Sequence, residues 1–305
     1  MRYIGRVLIV PFVLSPNIAA SRTHAADWPE NYVVRENSES PDGQYGILVA
    51  SMDAWEKDET LEETNYLANL KNHRLMGKIR GADYFEGQNH RGLQVVWSPD
   101  SSWCVVEYDE RFGFGSISIL EPKNSSFIQT DIGKKVDKEL AAALNKKSHD
   151  KVEHRGDATT YFRIGADQKL PVRAVSTTDP KELDLKNCHY ALFDGTFDLR
   201  SKKWLTANAR ALDREEYKGV ETGLTYSETE LRDTSFKSPE KKAEWLDERL
   251  NEVCTSVRLL LPPNSFAAVK KEQIEWLKKR DAAGSVEEKC KSMEARIKAL
   301  QELVW

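Results

Sequence analysis

Two small groups of side chains have the residue types that bind metal ions, and both lie in predicted turns or loops. His149 and His154 stand five residues apart in a charged loop, and imidazole nitrogens are common ligands of Zn²⁺. Asp194 and Asp198 flank Gly195 in a predicted hairpin, whereas a calcium loop needs more oxygen ligands and a terminal Glu. We therefore interpret both groups as solvated loop residues and expect neither a metal nor a cofactor.

The sequence lacks the short motifs of the common enzyme classes. It contains no G-x-S-x-G nucleophile motif, no H-E-x-x-H zinc motif, no P-loop and no G-x-G-x-x-G dinucleotide motif. These absences favour a binding or structural protein, and we predict that the chain is not an enzyme.

The N-terminal residues are typical of an export signal. Arg2 and Arg6 precede an apolar run from Val7 to Leu14, and small residues follow up to position 25. Eight apolar residues are too few to span a bilayer, so we predict a cleaved signal peptide at residues 1–25 and a secreted protein. The alternative interpretation of this segment is a buried N-terminal strand.

Composition and charge exclude two further classes of function. Charged residues make up 31% of the chain and hydrophobic residues 40%, which is typical of a globular protein without a membrane span. Without Arg2, Arg6 and Arg22 the chain has 42 basic and 49 acidic residues, a net charge of -7, so nucleic-acid binding is not expected. Residues 231–305 carry 15 basic and 13 acidic residues, which leaves the preceding mature part at -9.

Four cysteines could form disulfides in an exported chain. Cys104 and Cys188 lie in the β-rich part, and Cys254 and Cys290 lie in the helical part. Among the three pairings that four cysteines allow, this placement favours Cys104–Cys188 and Cys254–Cys290. The alternative is that the thiols stay free and buried. None has the C-x-x-C spacing of a zinc or redox site.

Residues 26–230 are predicted to form a β-rich domain with one helix. Two Ser-Pro-Asp turns begin at Ser40 and Ser98, 58 residues apart, and each leads into a strand. The turns resemble those of WD-repeat and TolB-type propeller blades, but two copies cannot close a propeller. We therefore predict an open antiparallel sheet, or two packed sheets. In the strand after the second turn, alternation directs these residues to opposite faces: Trp103, Val105 and Glu107 against Cys104, Val106 and Tyr108.

Further elements of this domain follow from periodicity. Apolar residues at helical spacing predict a helix at 132–148. Strands are predicted at 159–165 and 171–178, and a hairpin at 188–212 whose turn lies at Asp194-Gly195 or at 201–203.

A loop before one of the strands combines aromatic, amide and imidazole side chains. Its notable residues are Tyr84, Phe85, Gln88, Asn89 and His90. Such a loop could bind a partner or a glycan. The alternative is a loop that packs against the domain.

Residues 231–305 are predicted to form three helices. Ser238 is a predicted N-cap followed by Pro239, Ser265 is a predicted cap of the second helix, and Ser285 with Glu288 makes a capping box for the third. The apolar stripes are, in order, Leu246, Leu250, Val253, Val257 and Leu260; Phe266, Val269, Ile274 and Leu277; and Val286, Cys290, Met293, Ile297, Leu300 and Val304. The whole chain is thus predicted to be an α+β protein, with an antiparallel β-rich domain before a three-helix unit.

The stretch EQIEWLKKRDAAGSVEEKC, residues 272–290, joins the second and third predicted helices. Trp276 and Arg280 are four residues apart and therefore stack on one face. Asp281 can reach the free backbone N–H groups at the start of the third helix, and Gly284-Ser285 forms the turn between the helices. Each residue therefore has a structural explanation.

The order of residues in this region matches a known pattern. Leu250-Asn251 is followed by Gln273, Trp276 and Arg280-Asp281, and then by Gly284-Ser285, Cys290 and Ala295-Arg296. This order resembles the helical domain of the LprI-type lysozyme inhibitor family over residues 238–305. The family has a Cys shortly after Arg-Asp that pairs with the later Cys. Residues 282–284 here are Ala-Ala-Gly, so the resemblance implies a relocated disulfide between Cys254 and Cys290.

The resemblance also implies a function. It predicts a bacterial, periplasmic protein that binds and blocks a lysozyme-like muramidase. Lysozymes are often cationic, and the acidic β-rich part would complement such a partner. The alternative is a non-catalytic envelope module, binding or structural, with a protein or glycan partner.

Overall fold

The computed structural model describes residues 28–58, 63–111, 113–146, 157–162, 164, 167–178, 188–225 and 236–304. These ranges contain twelve strands and six helices, and the predicted α+β class is confirmed. The predicted signal peptide, the predicted domain boundary at residue 230 and the pair His149 and His154 lie outside the described residues.

The strands form three four-stranded antiparallel sheets, in each of which every strand pairs with its neighbours in sequence. Sheet 1 contains β1 (Tyr32–Val34), β2 (Tyr45–Ala50), β3 (Tyr66–Asn69) and β4 (Arg74–Lys78). Sheet 2 contains β5 (Gly92–Trp97), β6 (Cys104–Asp109), β7 (Phe114–Lys123) and β8 (Ser126–Asp131). Sheet 3 contains β9 (Asp157–Phe162), β10 (Lys169–Thr177), β11 (Tyr190–Asp198) and β12 (Lys203–Leu212).

Sheet 2 lies between sheets 1 and 3, because β6 buries both of its faces. Cys104, Val106 and Tyr108 pack into an apolar core with sheet 1. Trp103 and Val105 point the opposite way, into a core shared with sheet 3. The alternation predicted for this strand is therefore confirmed. The prediction of one open sheet or two packed sheets is wrong, since the two faces of sheet 2 each need an apolar partner.

Six helices complete the described fold. They are α1 (Met52–Lys57), α2 (Gly133–Asn145), α3 (Arg214–Thr225), α4 (Pro239–Leu260), α5 (Pro263–Asp281) and α6 (Val286–Gln301). Helix α2 confirms the prediction at 132–148, and its stripe of Val136, Leu140 and Leu144 is buried beside sheet 3. The predicted hairpin is β11–β12, which turns at residues 199–202.

Helices α3, α4 and α6 cover the outer face of sheet 3. Val175, Leu192 and Leu212 of the sheet share one apolar core with Val220 of α3 and Ile297 of α6. The helices and sheet 3 therefore depend on the same buried surface for their stability.

The predicted helix ends are mostly confirmed. Ser238 accepts a hydrogen bond from Lys241 N at 3.4 Å, and Ser285 accepts one from Glu288 N at 3.2 Å. Ser265 does not cap α5, which begins at Pro263 without a side-chain cap. The predicted stripe of α5 is wrong at Ile274, which is 47% exposed. Gln273, one residue earlier, is half-buried instead.

The two Ser-Pro-Asp turns have the same structure. Ser40 Oγ donates to Asp42 Oδ1 at 2.6 Å, and Ser98 Oγ donates to Asp100 Oδ1 at the same distance. The turns also touch, because Asp42 N donates to Ser101 Oγ at 3.2 Å. The repeat thus joins sheets 1 and 2 along one edge.

Sheet 3 has a third turn of this kind, which the sequence analysis missed. Lys169 N donates to Asp167 Oδ1 at 3.2 Å, as Ser102 N does to Asp100 Oδ1. Gln168 has a φ of 59°, the same as Ser101 at the equivalent position. This turn lacks the Ser-Pro pair of the other two turns. The only sign of it in the sequence is an Asp placed two residues before a strand.

All four cysteines are free, so the predicted disulfides are wrong. Cys104 is buried between sheets 1 and 2, whereas Cys188 packs against the core on the far side of sheet 3. Cys290 lies on α6 and packs against the start of α4, where its thiol donates to Pro239 O at 3.7 Å. Cys254 stands fifteen residues further along α4, about 22 Å away at the rise of an α-helix.

Candidate functional site

The residues of the LprI-like pattern converge where α5 meets α4 and α6. Arg280 is the central residue: its Nη1 donates to Asp247 Oδ1 of α4 at 2.5 Å and approaches Met293 Sδ of α6 at 3.9 Å. The guanidinium also lies over the ring of Trp276, 5.6 Å from its centroid. The predicted stacking of Trp276 with Arg280 is therefore present, and Arg280 links all three C-terminal helices.

Asp281 has a different role from the predicted one. It accepts a hydrogen bond from Arg280 Nε at 2.9 Å, and the start of α6 is capped by Ser285. Burial acts against the charge of Arg280, but hydrogen bonds to Asp281 and Asp247 outweigh it and raise the Arg280 pKa. The guanidinium stays charged and holds both carboxylates.

A second polar contact joins α5 to α6. Arg296 Nε donates to Gln273 Oε1 at 2.7 Å, which explains why an amide occupies the inner face of α5. Leu250 is buried in the helical core, whereas Asn251 is exposed and contributes its backbone carbonyl to Thr255 Oγ1 at 3.1 Å. Most of the pattern residues therefore hold helices together.

The turn between α5 and α6 is fixed by a side chain. Gly284 N donates to Glu288 Oε2 at 3.1 Å, and Glu288 N donates to Ser285 Oγ. The capping box predicted for Ser285 and Glu288 thus operates with Gly284 as the backbone donor.

A groove of about 470 Å³ opens beside Cys290, between the start of α4 and α6. Its lining combines the apolar Phe236 and Pro239 with Lys242 and Glu294, which form a 2.6 Å ion pair. Burial raises the pKa of the Cys290 thiol, so the thiol is a poor nucleophile at neutral pH. The groove offers a binding surface and no reactive group of its own.

The loop at residues 84–90 packs against sheet 1 through its aromatic residues. Tyr84 N donates to Asn65 Oδ1 at 3.1 Å, and Phe85 stacks on Trp55 of α1 at 4.5 Å. Gln88 is half-buried, and Asn89 and His90 are exposed. Only the last two residues of the predicted partner loop are therefore open to a partner.

The predicted turn residues Asp194 and Asp198 have separate partners. Asp194 forms a 3.3 Å ion pair with Arg173, and burial raises the Asp194 pKa. Asp198 accepts hydrogen bonds from Ser201 N and Oγ at 2.6 and 2.7 Å. Within the described ranges, no three His, Cys, Asp or Glu side chains form a group that could hold a metal.

A buried carboxyl group at Glu107 was not predicted as a site. Glu107 is 2% exposed and lies on the face of β6 that points to sheet 3. Burial is the main cause that raises its pKa well above the ordinary value, and the Asp109 carboxylate adds to it. The sequence could have indicated this burial, because the alternation of β6 directs Glu107 to the same face of the strand as Val105.

Neither a family model nor a curated protein matches the chain. One solved structure, the complex of the fission yeast SREBP-SCAP binding domains, is similar over 68% of this chain at 10% identity with a TM-score of 0.28. The chain covers 46% of that protein's length. Separately, no helix in the described part of the chain is long and apolar enough to cross a membrane.

Proposed function

We propose that the protein binds and blocks a lysozyme-like muramidase in the periplasm of a bacterial cell, after export by residues 1–25. The observation that carries the proposal is the LprI-like pattern, from Leu250-Asn251 through Gln273 and Arg280-Asp281 to Arg296. Its polar side chains form the contacts that join α4, α5 and α6. The pattern thus has a shared structural purpose in this chain, which supports a common fold for the helical unit.

The contact surface for the muramidase must lie on outward-facing residues, because Gln273, Arg280 and Arg296 are engaged inside the unit. Helix α5 has no fully buried residue among those described, and its outer face carries the exposed Ile274 beside Lys270 and Lys278. The acidic β-rich part is the other candidate surface, since it complements a cationic enzyme.

The test titrates the oxidant-free, full-length mature protein against c-type, g-type and endogenous muramidases. Whole protein is needed because the helices and sheet 3 share one core. Ile274→Glu probes α5, and Met52→Glu is its matched control, since the two side chains are 47% and 46% exposed. If Ile274→Glu loses inhibition and Met52→Glu keeps it, the muramidase contact lies on α5. Inhibition kept by both variants favours the acidic sheets, and no inhibition of any muramidase refutes the proposal.

A second candidate function is a non-catalytic envelope module that binds a protein or glycan. The observation in its favour is the exposure of Asn89 and His90 at the end of a loop whose aromatic residues are firmly packed. A glycan array and a cross-linking pull-down with the wild type and the double variant Asn89→Ala/His90→Ala test it. Capture that the double variant does not reduce would exclude this loop as the binding surface.

A further inference from the structure

A small pocket lies between the second Ser-Pro-Asp turn and the third turn of this kind. The first two turns are in direct contact, because Asp42 N donates to Ser101 Oγ at 3.2 Å. Gln168 occupies the position equivalent to Ser101, but its Oε1 accepts a hydrogen bond from Arg200 Nε at 2.6 Å instead. A pocket of about 160 Å³ lies between the second and third turns. The third turn thus leaves a gap that is closed between the first two.

The walls of this pocket are apolar. They are formed by Pro99, Trp103, Ile164 and Leu199, and the last three of these are buried. An apolar cavity of about 150 Å³ is large enough to bind benzene. Sites for drug-sized ligands have about 300–1,000 Å³. The pocket therefore has the size for a single side chain of a partner and not for a whole cofactor.

The charge of the pocket comes from Asp100. It is the only charged side chain among the described residues that line the pocket, and it is exposed. Ser98 Oγ, Ser102 N and Ser102 Oγ donate to Asp100 Oδ1 at 2.6, 3.2 and 2.7 Å, and none of these bonds uses Oδ2. They lower the pKa of Asp100, so the carboxylate is ionised at neutral pH. The pocket thus combines apolar walls with one negative charge at its mouth.

We propose that this pocket binds an arginine side chain of a cationic protein partner. The aliphatic stem contacts the apolar walls, and the guanidinium donates to Asp100 Oδ2. Arginine fits better than lysine, because its planar head is less strongly hydrated and also packs on aromatic rings such as that of Trp103. Arginine is one of the residues most often found as the central contact of a protein interface. The inference rests on the proposed function, for which it names a contact in the acidic β-rich part.

The first experiment uses N-propylguanidinium, which has the atoms of the arginine side chain, as the probe. Nuclear magnetic resonance signals of the Ile164 and Leu199 methyl groups report its binding to the full-length mature protein. We expect both signals to shift, and we expect the uncharged N-propylurea to bind about three- to tenfold more weakly. Equal binding of the two compounds would overturn the assignment to arginine. A titration in which neither methyl signal shifts would overturn the pocket itself.

Variants test the same pocket. Asp100→Asn should weaken probe binding by about three- to tenfold, because it removes the charge and keeps an oxygen that can accept the hydrogen bonds of the turn. Asp42→Asn is the matched control, since Asp42 Oδ1 accepts equivalent bonds from Ser40 Oγ and Gln44 N but does not line the pocket. Ile164→Phe places a larger side chain in the pocket and should abolish binding even where Asp100→Asn loosens the turn. Probe binding that neither Asp100→Asn nor Ile164→Phe weakens would overturn the inference.

Inhibition assays separate the pocket from the proposed function. Asp100→Asn and Ile164→Phe should raise the concentration needed for half-inhibition of a muramidase by about tenfold or more, and Asp42→Asn should change it by less than about twofold. Full inhibition by both pocket variants would overturn the pocket as the contact. A wild type that binds N-propylguanidinium but inhibits no muramidase would refute the proposed function, while the binding of a guanidinium group in the pocket would be supported.

Discussion

Gly223 of α3 lies so close to α4 that even a methyl group has no space. A Cβ at this position would overlap Ser256 Oγ and come within 2.9 Å of Ser256 Cβ and 3.2 Å of the Glu252 carbonyl oxygen. Ser256 is fully buried, and its hydroxyl donates to Gly219 O at 2.9 Å. Gly223→Ala must therefore separate the two helices or break this hydrogen bond.

The expected destabilisation follows from three contributions. Overpacking costs about 1–3 kcal/mol, and an unsatisfied buried carbonyl or hydroxyl costs about 1–3 kcal/mol. The better helix propensity of Ala offsets about 1 kcal/mol. We expect Gly223→Ala to lower the free energy of unfolding by about 1–5 kcal/mol.

Urea unfolding followed by far-UV circular dichroism measures this change. Gly284→Ala is the matched control, because its Cβ would meet nothing nearer than Glu288 Oε2 at 3.6 Å and should change stability by less than about 0.5 kcal/mol. Ser256→Gly in the Gly223→Ala background should recover part of the loss as a coupling between the two sites. A Gly223→Ala protein as stable as Gly284→Ala would refute the close packing of α3 on α4.

Three further outcomes are expected. Arg280→Lys should lower the free energy of unfolding by about 1 kcal/mol in urea titrations, since Lys cannot hold Asp247 and Asp281 together; an unchanged midpoint would contradict the bridging role. Hydrogen bonds from Ser98 and Ser102 lower the pKa of Asp100 below its ordinary 3.8, so its stabilisation is present above that pH and is lost as the pH falls further. In the Asp100→Asn variant, the free energy of unfolding should therefore fall less steeply than in the wild type as the pH is lowered. Equal slopes in the two proteins would contradict this prediction. The protein denatured without reductant should react with four equivalents of a thiol reagent, because all four cysteines are free. A reaction with two equivalents or none would show that one or two disulfides are present.

The features that the sequence predicted well are those determined by local contacts. The caps at Ser238 and Ser285 depend on residues three positions away, and the stripe of α2 depends on spacing within one helix. The faces of β6 follow from simple alternation. Such features need no knowledge of the partner elements.

The features that the sequence did not predict depend on distant partners. Gln273 lies inside and Ile274 outside because Arg296 supplies a partner for the amide. The third turn, at Asp167, lacks the Ser-Pro pair that marked the other two. The cysteine pairs were predicted from the part of the chain, β-rich or helical, in which each cysteine lies, whereas the packed sheets place Cys104 and Cys188 in separate cores.

The pairing of every strand with its sequence neighbour has a consequence for synthesis of the chain. Sheet 1 is complete once residue 78 is available, and sheet 2 once residue 131 is available. Each sheet can therefore form as the chain emerges, without waiting for distant segments, and short loop closures favour rapid folding. Sheet 3 differs, because its outer face exposes Val175, Leu192 and Leu212 until α3, α4 and α6 have been made. A chain interrupted near residue 212 would present this apolar face to other molecules and aggregate.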